Sequence, residues 1–296
     1  MLHAPRDILI IGGNSRLAQR LVRLLPPLRV INRSDEGPGV IGVSDYAALP
    51  QAAYDGVHTV VNCVGSAIGN VATLTRVNVE VAERSARQAR AAGCRHYIFI
   101  GSLSVHGYAP RIDMATPVAP VTDYGRSKAS AEAAVVALAT SHFAVTVIRA
   151  PALYGPDAPG KFSMLARAMR VARVFPVPHE LPQRSVLHLD NASAVVAALA
   201  ADPDPDSRIV LAADHESFDL ERFAAALAVA DGKPIRLIRA PDAAFAPLRV
   251  TCPGIYASLF AASFIDPVAA LSTEMVLPVA LDAGLAEMLA VAAHSR

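Results

Sequence analysis

The sequence predicts an α/β fold, a doubly wound parallel sheet. Three observations carry that expectation. The run Ile8-Leu9-Ile10-Ile11 is apolar throughout and leads directly into Gly12-Gly13. Leu17, Ala18, Leu21, Val22, Leu24 and Leu25 then recur at helical spacing up to Pro26-Pro27, so strand, glycine turn and helix follow in sequence. Further apolar runs at 40–43, 58–65, 97–100 and 145–148 alternate with helix-patterned stretches, the pattern of a parallel sheet buried on both faces.

Composition narrows the class. The chain has 296 residues, 53% hydrophobic and 18% charged, enough to bury a sizeable core and too apolar for general disorder. With 27 basic residues against 26 acidic, no basic run and no tryptophan, no nucleic-acid partner is expected. Cys63, Cys94 and Cys252 are odd in number and far apart. They give neither a metal spacing nor a disulfide framework, which favours a reducing, cytoplasmic setting. His106 and His179 are isolated and His188 reads as a structural mid-strand residue, so no metal site is expected. The N-terminus enters its first strand without a signal-peptide core. The most membrane-like stretch, Val250–Ile265, is interrupted by Pro253-Gly254 and falls short of the about 20 residues that a span needs. It reads as buried or interface surface.

Taken in order, the first strand–turn–helix is the opening of a dinucleotide-binding unit, in which a helix N-terminus faces a pyrophosphate. Gly12, Ser15 and Ala18 stand at the positions usually held by three glycines. Gly12, Asn14, Ser15, Arg16 and Leu17 are therefore cofactor candidates. The second strand, Leu28–Ile31, ends in Asn32-Arg33-Ser34. An acidic residue there would hold a ribose 2′-hydroxyl. The guanidinium of Arg33 suits a 2′-phosphate instead, so NADP(H) is preferred, with NAD(H) the alternative. After the third strand, Val40–Val43, Asp45 could accept from an adenine amine or cap the next helix. The fourth strand runs to Cys63-Val64-Gly65, a turn expected over the cofactor. A long helix is expected to begin at Asn78 and end at Ala92-Gly93, followed by the strand Tyr97–Ile100 and Ser102.

The stretch 99–128 carries the chemistry. Tyr124 and Lys128 are four residues apart, one turn on the same face of an expected helix, 124–140. With seven tyrosines and three lysines in the chain, chance supplies roughly 0.07 such pairs. A phenol titrates near ~10, and an ammonium beside it lowers that value. A serine hydroxyl at a neighbouring strand end could hold the oxygen that exchanges the proton. Ser102, Tyr124 and Lys128 are thus candidates for moving a proton on an alcohol or carbonyl. No Gly-x-Ser-x-Gly elbow supports hydrolase chemistry.

These motifs resemble the extended short-chain dehydrogenase/reductases, the NAD(P)-dependent epimerase/dehydratase family. The resemblance rests on Ser102, Tyr124-Gly125-Arg126-Ser127-Lys128, the glycine turn, Ser44-Asp45, Val77-Asn78-Val79 and Val105-His106-Gly107. It extends through Arg149 to Tyr154-Gly155-Pro156, the block Arg184–Asn191, and Leu277-Pro278 with Gly284-Leu285. It implies a Rossmann-type domain over 1–155, with 184–213 returning to it, and a small substrate lobe from 156–183 and 214–296. It implies Tyr124 as acid/base, Lys128 holding the nicotinamide ribose and Ser102 binding the reacting oxygen. Lys161, Phe162 and Arg184 would meet a nucleotide sugar, Arg184 through a phosphate, with a structural arginine the competing reading. The stretches around Lys161-Phe162 and Arg184–Asn191 are most similar to 4-keto-sugar-nucleotide reductases. A 4-epimerase and a non-catalytic dinucleotide-binding scaffold are the alternatives. The alanine-rich helices 78–92 and 124–140 would suit a homodimer or burial within the monomer equally.

Overall fold

The computed structural model describes residues 7–25, 29–33, 38–156, 161–202 and 205–294. These divide into two compact units, 1–107 with 117–151 and 192–212, and 108–116 with 152–191 and 213–296. The segment 184–191 thus falls in the second unit.

The first unit is a seven-stranded parallel sheet. Its strands are β1 (Ile8–Ile11), β2 (Arg29–Asn32), β3 (Val40–Gly42), β4 (Thr59–Asn62), β5 (His96–Ile100), β7 (Ala144–Arg149) and β11 (Arg208–Leu211). The order is β11-β7-β5-β4-β1-β2-β3, two runs winding outward from β1, as the sequence predicts. All four residues of β1 are buried, which explains why the run is apolar rather than alternating. The expected start of β2 at Leu28 lies outside the described residues. Helices α1 (Arg16–Leu24), α3 (Val81–Ala91) and α4 (Asp123–Val136) belong to this unit. Ala82, Ala86 and Ala89 of α3 and Ala131 and Val135 of α4 join Leu9, Ile11, Tyr97, Phe99 and Val147 in its core. The small faces considered for a dimer are buried here.

One helix differs from expectation. It begins at Val71, not Asn78, because the Asn70 side chain accepts from Thr73 N at 2.9 Å and caps it. After α2 (Val71–Leu74) the backbone widens into a π-type stretch, Thr75–Glu80, before α3. That bulge buries Asn78. Helix α4 ends at Val136 rather than 140, where Thr140 bridges back to Phe143.

The second unit holds the short strands β6 (Arg111–Ile112), β8 (Ala152–Tyr154), β9 (Val174–Pro178), β10 (Val186–His188), β12 (Arg236–Ala240) and β13 (Phe264–Ile265). They form the parallel pairs β10–β8, β12–β9 and β13–β6. Its helices include α5 (Lys161–Ala172), α7 (Leu220–Asp231), α8 (Ala246–Thr251), α9 (Pro253–Phe260) and α10 (Leu281–His294); α6 (Leu189–Ala200) carries the chain between the units. Its core gathers Tyr154, Met169, Phe218, Phe223, Phe260 and Leu285. In the membrane-like stretch, Phe260 is buried while Val250 and Ile255 are exposed. Among the described residues no helix is long and apolar enough to cross a membrane.

Candidate functional site

In the first unit, the ends of β1, β4 and β5 bring most of the sequence candidates together. Gly12 leaves β1 with φ +91°, and a Cβ there would stand 2.9 Å from the Val64 side chain and 3.0 Å from Val64 N. Only glycine meets both conditions. Ser15 then caps α1, accepting from Ala18 N at 3.1 Å. Asn14 is exposed, Arg16 half-buried, and Leu17 buried against the core. Asn62 turns the end of β4 by accepting from Val64 N at 2.9 Å. Burial pushes the Cys63 thiol up to about 12, with Ser15 and Lys128 acting against the rise, so it is an inert lining group at neutral pH. A bare glycine turn, a capped helix N-terminus and a small-residue strand end fit a dinucleotide's pyrophosphate.

Arg33 is exposed past β2, and its charge opposes the rise that burial gives the Tyr46 phenol. Asp45 is engaged on both oxygens. Oδ1 accepts from Ala47 N at 3.0 Å, and Oδ2 pairs with Arg76 at 2.8 Å. Those two contacts lower its pKa. Asp45 thus caps a turn where a helix cap was expected, since the next helical segment, Gln51–Tyr54, follows Pro50.

Ser102 leads from β5 into a 3₁₀ turn, Leu103–His106, where its Oγ accepts from Ser104 N at 3.2 Å. Thr122 caps α4 through Gly125 N at 3.0 Å, and the first turn of that helix carries Tyr124. Burial raises the Tyr124 phenol above its ordinary pKa, and the nearby Ser102 hydroxyl acts against the rise; that hydroxyl itself donates to Ser104 Oγ at 3.2 Å. The net direction is opposite to the lowering expected from Lys128. The reason is where the ammonium goes. Lys128 Nζ donates to Ile100 O at 2.7 Å and lies 4.6 Å from the centre of the Phe99 ring. Burial pushes Lys128 down to about 8.

Asn78 was expected only to open a helix. Instead its Oδ1 accepts from Ser66 N at 2.8 Å, and its Nδ2 donates to Ser66 O and to Ser127 Oγ, both at 2.9 Å. It ties the loop after Gly65 to α4, and the Val-Asn-Val motif was its only trace in the sequence. A Cβ on Gly65 would stand 3.3 Å from Lys128 Nζ.

The remaining candidates lie in the second unit. Phe162 packs edge-on to Phe218, ring centres 5.3 Å apart, as part of that unit's aromatic cluster. Lys161 opens α5. Arg184 donates through Nη1 to Ala257 O at 2.7 Å and Ala261 O at 3.1 Å. It caps the C-terminus of α9, the structural job weighed beside a phosphate contact. Among the described residues no cluster of metal-ligating side chains occurs.

The sequence pattern of the NAD dependent epimerase/dehydratase family matches residues 8–212. The chain belongs to that family. It is 28% identical to the UDP-glucose 4-epimerase of Vibrio cholerae over 197 residues, 64% of this chain and 57% of the relative. It spans about half the length of the curated relatives that it matches. Many solved structures share the fold, among them the following two. One is UDP-glucuronic acid 4-epimerase from Bacillus cereus in complex with NAD, at TM-score 0.77 and 14% identity, covering 98% of this chain and 99% of that one. The other is dTDP-4-dehydrorhamnose reductase from Bacillus anthracis in complex with NADP, at TM-score 0.67 and 15% identity, covering 96% and 98%.

Proposed function

We propose that this family member is an NADP(H)-dependent oxidoreductase that reduces the 4-keto group of a nucleotide sugar in the cytoplasm, with Tyr124 as acid/base. The reading rests on the placement of Ser102 in the turn that follows β5 and of Tyr124 on the first turn of α4, in the same unit as the glycine turn. A bound dinucleotide would supply the hydride to the carbonyl carbon. Tyr124 gives its hydroxyl proton to the carbonyl oxygen as that carbon is reduced, and Ser102 donates to the same oxygen. A phenol held above its ordinary pKa is protonated at neutral pH, the state that a reduction requires. Gly12, Asn14, Ser15, Arg16, Leu17, Cys63, Val64 and Gly65 hold the dinucleotide, and Arg33 takes a 2′-phosphate with its exposed fork. Lys128 holds the nicotinamide ribose. Lys161 is kept for the substrate, while Phe162 and Arg184, the other two candidates, serve the second unit's aromatic cluster and the end of α9.

A 4-epimerase is the second reading, favoured by the Vibrio cholerae relative. Calorimetric titration of dinucleotide-free protein separates the two. NADPH binding at least about tenfold tighter than NADH, a gap of ~1.4 kcal/mol, supports the reductase. Preference for NADH, or NAD that co-purifies, supports the epimerase. In either case Tyr124→Phe should lower turnover by about 10² or more while dinucleotide binding survives; full activity would remove Tyr124 from the mechanism.

A further inference from the structure

Behind the Ser102–Tyr124 pair lies a buried polar network. Arg149 at the end of β7 uses all three guanidinium nitrogens within the first unit. Nε donates to Glu132 Oε2 at 3.1 Å, Nη2 to Glu132 Oε1, and Nη1 contacts His106 Nε2 at 3.2 Å. A guanidinium can only donate, so His106 Nε2 is the acceptor and the ring proton sits on Nδ1. Nδ1 in turn lies 3.1 Å from Pro117 O and donates to it. Arg149, Glu132 and His106 are each nine-tenths or more buried. Taking an ion pair out of water costs several kcal/mol per ion unless geometry and hydrogen bonds are complete. Here both carboxylate oxygens and both ring nitrogens are used.

The placement gives the network a task. Glu132 lies one turn beyond Lys128 on α4, and His106 closes the turn that Ser102 opens. The loop between them is pinned at Pro117 by His106 and at Ala119, whose N donates to Val105 O at 2.9 Å. Helix and turn also meet without spacer atoms. A Cβ on Gly125 would stand 2.5 Å from Ser104 O, and one on Gly107 would stand 2.4 Å from Ala119 O.

We propose that His106, acting through Arg149 and Glu132, is a positioning residue that fixes the turn bearing Ser102 against the helix bearing Tyr124. It touches neither reacting atom. The inference rests on the acid/base reading of Tyr124, and its test includes a measurement that needs no substrate.

The test compares His106→Leu with His106→Gln in the full chain. The glutamine carboxamide offers an oxygen to Arg149 and an N–H to Pro117 O, so it reproduces both contacts; leucine offers neither. His106→Leu should lower kcat for 4-keto-sugar reduction by about tenfold or more, with KM for NADPH within about twofold, and His106→Gln should restore most of it. In parallel, ¹³C-tyrosine NMR follows the Tyr124 phenol, identified by its loss in Tyr124→Phe. Its titration midpoint should rise in the leucine variant, as the turn that carries the Ser102 hydroxyl shifts away from α4, and stay in place in the glutamine variant. Should the leucine variant not fold, Arg149→Lys keeps a charge beside Glu132 while withdrawing the donor from His106, and the same shift is expected. A folded leucine variant with unchanged midpoint and kcat overturns the proposal, as does a glutamine variant that behaves like leucine. If the NMR pattern appears but no nucleotide sugar is turned over by the wild type, the positioning role stands and the functional reading falls.

Discussion

Lys128 Nζ donates to the carbonyl oxygen of Ile100 at 2.7 Å, so the ammonium that α4 carries is anchored to the last residue of β5. Anchoring places a charge where burial disfavours it, and Lys128 is pushed down to about 8 from an ordinary 10.5. Between those values the unfolded chain binds a proton that the folded chain has released. Stability therefore rises as pH climbs from about 8 to 10.5, by on the order of 3 kcal/mol when complete. Urea unfolding of wild type and Lys128→Met across that range should give curves that converge or cross. Parallel curves would mean that Lys128 titrates as an ordinary surface lysine.

Asn78 makes three hydrogen bonds while 1% exposed. Asn78→Ala leaves the Ser66 main chain and the Ser127 hydroxyl to find new partners, and should cost about 2–4 kcal/mol. Because Ser66 follows the Cys63-Val64-Gly65 turn, dinucleotide affinity should fall in the same variant. Asn78→Asp keeps the acceptor for Ser66 N and loses both donors, so it should not recover the affinity. Titration calorimetry alongside urea unfolding reads both effects; an alanine variant with native stability would show that the loop does not depend on Asn78.

His96, at the start of β5, is 1% exposed, with Nε2 2.9 Å from Thr146 Oγ1 and no hydrogen-bond partner for Nδ1. Burial pushes it down to about 4 from 6.5. In this window the unfolded chain binds the extra proton, so stability is lost as pH falls from 6.5 towards 4, by up to about 3 kcal/mol. His96→Leu should flatten this acid limb even if it lowers stability at pH 7. An acid limb of unchanged slope would place the loss in other groups.

Much of the fold was legible because it rests on local, one-dimensional patterns. The buried run of β1, the turn at Gly12 and the helical spacing of Tyr124 and Lys128 can all be read within a few residues of one another. What escaped depends on partners far away in the chain. Asp45 is held by Arg76, 31 positions on, and Arg184 caps a helix that ends more than 70 positions later. Glu132 and Arg149 read as separate residues until α4 and β7 are packed together. The direction of the Tyr124 shift was missed for a related reason. Spacing shows that two side chains share a helix face, but not that a strand carbonyl competes for one of them.

The π-type stretch at 75–80 makes chain length itself a functional variable. Each residue of an α-helix turns the next by about 100°, and this segment holds its extra residue as a bulge. Removing one residue would let it wind as regular helix and would swing either Asn78 or the whole of α2 away from its present direction. This short segment, with Thr75 and Arg76 open to solvent, should therefore accept many substitutions at its outer positions and no change in residue count. Deletion scanning across the helix would find its sharpest boundary there rather than in the buried alanines that follow.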